Sequence, residues 1–225
     1  MVLHIANGSI MKSYLANKCP AGQELIAFNE SMITGGCCEE IFSEAFFQQR
    51  AETLQVTYER YAELTIAELD KLLNHSYSGI TLWFDADMFC QMNVLTLCAY
   101  LDAAKYQGSV QLHIICQDFW QYGNVQDTIR KSYQINPRGY YAIYREVLLQ
   151  KQPVIQEYPV FPELNDGIRR YKDYLSPQGE IRLAIATMVR ENRNKQYIIK
   201  AINERYPDYG IGDYNIQLIY QELVR

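Results

Sequence analysis

Hydrophobic positions along this chain fall into two rhythms that alternate through its first half. Short apolar runs occupy residues 2–7 (VLHIAN), 24–30 (ELIAFNE), 79–84 (GITLWF) and 109–116 (SVQLHIIC), each the length of one strand. Helical spacing fills the gaps. It covers IMKSYLANK, which Ser9 is placed to cap, the long FSEAFFQQRAETLQVTYERYAELTIAELDKLL, and residues 88–104, with Met88, Met92, Leu95 and Ala99 along one face. Continuous apolar runs joined by helices predict a parallel sheet covered on both faces. The expected fold is α/β, Rossmann-like and doubly wound, with the four runs as parallel neighbours in one mostly parallel sheet.

The rhythm breaks after residue 116. QDFWQYGNVQDTIRKSYQI reads as one short helix, and Asn136-Pro137 as the start of another over RGYYAIYREVLLQK. QPVIQEYPVFPEL holds three of the seven prolines and reads as a linker, because proline interrupts regular helix. Four helical segments follow: NDGIRRYKDYLS, GEIRLAIATMVREN, NKQYIIKAINERY and GDYNIQLIYQELV. The last three are short and amphipathic, the outline of a helix-turn-helix-like unit. The expected organisation is therefore an α/β domain over 1–150, a linker over 151–163 and a C-terminal all-α, helix-turn-helix-like subdomain over 164–225.

Composition narrows the classes of function. The chain has 225 residues, is 48% hydrophobic and carries a formal net charge of −5. That field does not favour nucleic acid or an anionic membrane. No apolar run reaches bilayer-spanning length, and the N-terminus shows no signal-peptide pattern, so a cytoplasmic location is expected. Six cysteines without a CxxC, and three histidines none of which adjoins a cysteine, argue for buried reduced thiols over a structural zinc site. His4 and His113 lie within strand runs and read as core residues. Residues 169–205 carry nine Lys or Arg against four Asp or Glu, with tyrosines interleaved. The final helix offers a single arginine, Arg225, so direct DNA reading is not expected. A helical cap or a homodimer contact suits this tail better.

The strand over 79–84 ends in Asp85-Ala86-Asp87. In an open parallel sheet, ligands bind beyond the carboxyl ends of the strands, where the strand order reverses. That rule gathers Asn7, Gly8 and Ser9 as ligand-positioning residues, Glu30 as a general base, and Asp85 and Asp87 as carboxylates for catalysis or metal. Asp87 also stands where a helix N-cap belongs. Arg50 and Gln91 are candidate substrate clamps. Two carboxylates beside a helix N-terminus repel a bare phosphate, so a phosphorylated ligand there would need a bridging cation. Mg²⁺, which uses one or two carboxylates plus phosphate oxygens, is the candidate cofactor.

The stretch LWFDADMFCQMNVLTLCAYL resembles the signature of a bacterial family with no established activity, domain of unknown function 1835. HIANGS, FNESMITGG and FSEAFFQQRAE fit that family in order, and GIGDYNIQLIYQEL is similar to its closing helix. Ser9 stands where members carry an acidic residue. The resemblance supports the boundaries and the choice of site and implies no chemistry. Two functional readings follow. One is a small-molecule site at the sheet edge, with an Mg²⁺-assisted nucleotide or other phosphorylated ligand. The other is a non-catalytic, ligand-sensing module acting through its tail on a partner or DNA.

Overall fold

The computed structural model describes residues 1–152 and 156–224. Five strands, β1 (Val2–Ala6), β2 (Glu24–Ala27), β3 (Gly79–Asp85), β4 (Ser109–Ile115) and β5 (Ile129–Ile135), form one sheet in the order β2-β1-β3-β4-β5. β1 runs parallel to β2 and to β3, and β3 parallel to β4. The four expected strands are therefore parallel neighbours in an α/β fold with a mostly parallel sheet. From β1 the chain first moves outward to β2, then crosses back to β3 on the other side. The point of reversal lies between the carboxyl ends of β1 and β3.

β5 is a correction. The segment expected to be a short helix instead makes two 3-10 turns, Phe119–Gln121 and Val125–Thr128, and then an edge strand antiparallel to β4. Arg130, Lys131 and Ser132 are exposed, and such a polar edge protects against pairing with other chains. The same polarity removes the apolar run that announces a strand. The helix expected at Asn136-Pro137 also starts later. Pro137 lies in a turn, Gly139 has φ 95°, and α6 (Tyr140–Tyr144) follows, its entry held by Asp102, which accepts from the amides of Gly139 and Tyr141.

The remaining helices are α1 (Gly8–Leu15), α2 (Glu44–Thr53), α3 (Tyr58–Tyr61), α4 (Ala67–Asn74), α5 (Met88–Ala103), α7 (Pro162–Leu175), α8 (Glu180–Arg190), α9 (Lys195–Arg205) and α10 (Asp213–Leu223). The long helix expected over 42–73 is broken. α2 ends at Thr53, Gln55 adopts φ 56°, and Thr57 caps α3 by accepting from the Arg60 amide. A π-helical turn, Ala62–Ile66, joins α3 to α4. Pro162 opens α7 rather than closing the linker, in the position where its missing N–H costs nothing. Residues 153–155 of the linker lie outside the described residues. Behind them, Asn165 and the Tyr158 backbone exchange two hydrogen bonds.

Cover on the two sheet faces is unequal. Leu3, Ile5, Leu82, Phe84, Leu112 and Ile114 point into one continuous core that takes in α2 and α4–α10. The reverse face presents Ala6, Trp83 and Ile115 to Met11 and Leu15 of α1, with Phe119 alongside. Beyond α1 that face is open, and β4 alternates between exposed Ser109 and Gln111 and buried Val110 and Leu112. His4 and His113 flank Trp83 there. His4 accepts from the indole Nε1 at 3.0 Å and meets Gln23 through its other nitrogen, while His113 meets Ser132. Both are satisfied structural histidines. α5 is buried nearly all round, because it lies between the sheet and α6 and α7.

Candidate functional site

The carboxyl edge over β1 and β3 is built from the residues that end those strands. Asp87 is the N-cap of α5, with its Oδ1 accepting from the Cys90 amide at 2.7 Å. Such a cap contributes about 0.5–2 kcal/mol. Asp85 Oδ1 accepts from the Asp87 amide at 3.2 Å, so a carboxylate two residues before the cap braces the turn. From β1, Asn7 reaches the same place. Its Nδ2 donates to the Cys90 sulfur at 2.9 Å, and its Oδ1 accepts from Asn93 at 3.3 Å. Asn7, Asp85 and Asp87, far apart in sequence, thus meet around the first turn of α5.

Asp85 and Asp87 have no ion-pair partner among the described residues. Burial pushes the Asp85 carboxyl up to about 7, aided by the charge of Asp87 and of Asp208. Burial likewise raises Asp87 to about 6, against the hydrogen bonds from Cys90. The buried Cys90 thiol beside them is raised well above its ordinary value by desolvation and by both carboxylates. It is held as the thiol.

The raised acids have a stability consequence with a definite sign. Their folded pKa values lie above the ordinary aspartate value of 3.8, so the native state holds protons that the unfolded chain has released. This contribution is fully present below about pH 4 and is lost as pH rises through about 6–7. Urea unfolding should therefore show stability falling across this interval. Asp85→Asn keeps the acceptor for the Asp87 amide and removes the repulsion. It should flatten the fall and leave stability at pH 8 unchanged or higher. A strongly destabilised Asp85→Asn protein at pH 8 would make Asp85 a structural residue.

The C-terminal segment closes over this pair. A 3-10 turn, Pro207–Tyr209, is followed by Gly210 at φ 61°. A Cβ on Gly210 would lie 2.3 Å from Asp87 Cγ and 2.4 and 2.6 Å from its oxygens, so bare backbone rests on the carboxylate. Asp208 next to it pairs with Arg170 of α7 at 3.0 Å, and Tyr209 donates to Asp173 at 2.8 Å. No family model and no curated protein matches this chain. The geometry is therefore the ground for any functional reading.

The other expected site residues are placed differently. Arg50 is fully buried, and each of its three nitrogens has an acceptor. Nε and Nη2 face Glu30 Oε2 at 2.9 Å each, Nη1 donates to the Thr34 and Gly36 carbonyls, and Nη2 also donates to that of Ser31. Glu30 is saturated in turn, accepting from Tyr61 Oη at 2.7 Å and from the Ser31 amide. The pair pins the loop after β2, and neither member has a group to spare for a substrate. Gln91 donates to the Asp85 carbonyl at 2.6 Å, and a Cβ on Gly167 of α7 would lie 2.5 Å from its own Cβ. It is packed between helices, with its buried Oε1 unpartnered among the described residues.

Ser9 is exposed and donates to Asn29 Oδ1 at 3.0 Å. α1 begins two residues earlier than expected, at Gly8, whose φ of 81° makes the turn from strand to helix. Its cap position is Asn7, whose side chain makes no capping bond to α1, so Ser9 does not cap it. Asn29 continues to the π-helical turn, donating to the Leu64 carbonyl.

Asn93, absent from the expectations, is the buried link between the two groups. Its Nδ2 donates to the Glu30 carbonyl at 2.9 Å and its Oδ1 accepts from the Met32 amide. A polar residue inside an otherwise apolar helix was the sequence signal for it. Cys37 and Cys38 are half-buried, and desolvation raises both thiols, so neither is poised as a thiolate. Among the described residues no three His, Cys, Asp or Glu side chains are grouped to hold a metal ion. Two carboxylates, one already capping a helix, do not make a cage for a resident metal. They suit Mg²⁺ only when a ligand brings phosphate oxygens with it.

Proposed function

We propose that this is a cytoplasmic protein of Rossmann-like build, with its C-terminal helices as an all-α subdomain, that binds a small molecule at the carboxyl edge over β1 and β3. The observation that carries the reading is a pair of half-buried carboxylates, Asp85 and Asp87, at the strand-order reversal, with no ion-pair partner among the described residues and only the more distant charge of Arg170 acting on Asp87. Such a pair favours a ligand that brings positive charge or hydroxyl donors, or a phosphorylated ligand accompanied by Mg²⁺. Asp85 would take the metal or donor. Asn7 and the Gly8 turn would border the ligand, while Asp87 holds the helix end. The Glu30–Arg50 pair supports the loop beside the site and is assigned no chemical step.

Thermal unfolding with and without Mg²⁺, in the presence of a nucleotide, tests this. A bound ligand at a hundredfold excess over its Kd stabilises by about 2.7 kcal/mol, a rise of roughly 5–10 °C for a chain of this size. The rise is expected for the unmodified protein and not for Asp85→Asn. Equal rises in both would remove Asp85 from the site.

A second reading has its own support. Gly210 and Asp208 reach the carboxylate pair from the turn between α9 and α10, so a ligand there would press directly on the C-terminal helices. That contact favours a non-catalytic, ligand-sensing module whose output surface is α8–α10.

A further inference from the structure

We propose that the cleft between α7, α8 and α9 is a second ligand site, for a nucleoside monophosphate. The carboxylate pair does not line it, although Asp208, which does, bears on both of those carboxyls. A cavity of about 550 Å³ is walled by Arg169 and Arg170 of α7, Glu180 of α8, Arg205 of α9 and the Tyr206–Tyr209 turn. A second cavity of about 470 Å³ shares Glu180, Arg205 and Tyr206 with the first and continues past Tyr197 and Arg193. Each volume is that of a site for one small ligand.

The chemistry of the wall divides into three parts. Arg205 is exposed and has neither an ion-pair nor a hydrogen-bond partner among the described residues. Arg170 already holds an anion, the largely exposed Asp208 carboxylate at 3.0 Å. Asp208 marks a position where an acidic group is accepted, and it is a side chain that an incoming phosphate can displace. A guanidinium fork matches phosphate oxygens, and two forks can share one phosphate. Tyr206 is half-buried, set edge-on to Tyr209 with ring centroids 6.3 Å apart, and lines both cavities, which places an aromatic face for a base.

The acidic side chains decide the class. Asp173 is occupied, accepting from Tyr209 Oη and from the Glu180 amide. Glu180 is exposed where the cavities join and accepts from Tyr209 Oη only at a long 3.4 Å, and a carboxylate in such a place accepts from ribose hydroxyls. With Asp208 and Glu191 it also repels a polyanion, which disfavours a nucleic-acid strand along the same groove. Phosphate on Arg205 and Arg170, ribose on Glu180 and base on Tyr206 give each part of the ligand one matching group around the junction.

Titration calorimetry of the full chain with adenosine 5′-monophosphate tests the assignment, with adenosine, inorganic phosphate and a single-stranded oligonucleotide as comparisons. Saturable binding of the monophosphate is expected at millimolar concentration, weaker for adenosine and for phosphate alone. Arg205→Ala, at an exposed position, should weaken it about tenfold, the loss of one charge-assisted contact. Asp208→Asn should strengthen it several-fold by freeing Arg170, a gain that a damaged fold cannot imitate. Asp85→Asn, whose charge bears on Asp208 from outside the cavity, should change it by less than Asp208→Asn does, which separates this site from the carboxylate pair. Absence of saturable binding, equal binding of adenosine, indifference to Arg205→Ala, or binding of the oligonucleotide alone would each overturn the proposal.

Discussion

Arg50→Met is expected to cost about 3–5 kcal/mol, the penalty for breaking a buried ion pair by removing one partner. The change leaves the Glu30 carboxylate inside the protein with only Tyr61 and the Ser31 amide to stabilise it. It also strips a donor from the carbonyls of Ser31, Thr34 and Gly36. Against a typical total stability of about 5–15 kcal/mol this is a large fraction. Arg50→Lys should be milder and still clearly destabilising, because three donors on one nitrogen cannot meet acceptors arranged for a five-donor fork. Urea unfolding gives both values. The double variant Glu30→Gln, Arg50→Met should lose less than the sum of its parts, since neutralising Glu30 removes the unpaired charge. A loss below about 1 kcal/mol for Arg50→Met would mean that the loop after β2 is held by other contacts and that Arg50 is free for a ligand.

Gly210→Ala should cost about 2–4 kcal/mol, from two causes that add. The left-handed backbone at φ 61° strains any residue with a Cβ by about 1 kcal/mol, and overpacking adds about 1–3. The atoms in the way are the Asp87 carboxylate, and that short side chain cannot swing aside without releasing the Cys90 amide. Asp87→Ala alone should cost on the order of 1 kcal/mol for the lost cap. The double variant makes room for the new methyl group, so its total should fall below the sum, as for residues in contact. Strict additivity in thermal or urea unfolding would show that the C-terminal turn does not rest on Asp87. The same variants bear on the sensing reading, since Gly210→Ala would loosen α10 from the carboxyl edge without changing a charge.

The legibility of this chain followed the strength of local signals. The runs at 2–7, 79–84 and 109–116 were plain because the core-facing residues of central strands are apolar. Asp87 was readable as a cap because capping depends on the residues just after it. β5 was hidden, because an edge strand with one open face needs few apolar positions and Arg130, Lys131 and Ser132 blur its alternation. The break at Gln55 was hidden as well, because a left-handed glutamine leaves no mark in composition. Among the site candidates, Asn7, Asp85 and Asp87 come together because β1 and β3 are parallel neighbours whose carboxyl ends lie at the same edge. Charge and position make Glu30 a candidate general base and Arg50 a candidate substrate clamp. A buried arginine with every nitrogen engaged resembles a catalytic one until its surroundings are known.

Sequence alone determined that the protein is built on a parallel sheet, that β3 ends in two carboxylates at the sheet's carboxyl edge, and that α5 starts at Asp87. These follow from periodicity and capping, which act over a few residues. Only the tertiary structure decided which charges are spent and which remain available. It set Glu30 against Arg50, laid Gly210 on Asp87, paired Asp208 with Arg170 and left Arg205 without a partner among the described residues. The physical reason is range. A pKa, an ion pair or a clash depends on what stands within a few ångströms, and here those neighbours are 20 residues apart for Glu30 and Arg50, 38 for Arg170 and Asp208, and 123 for Asp87 and Gly210.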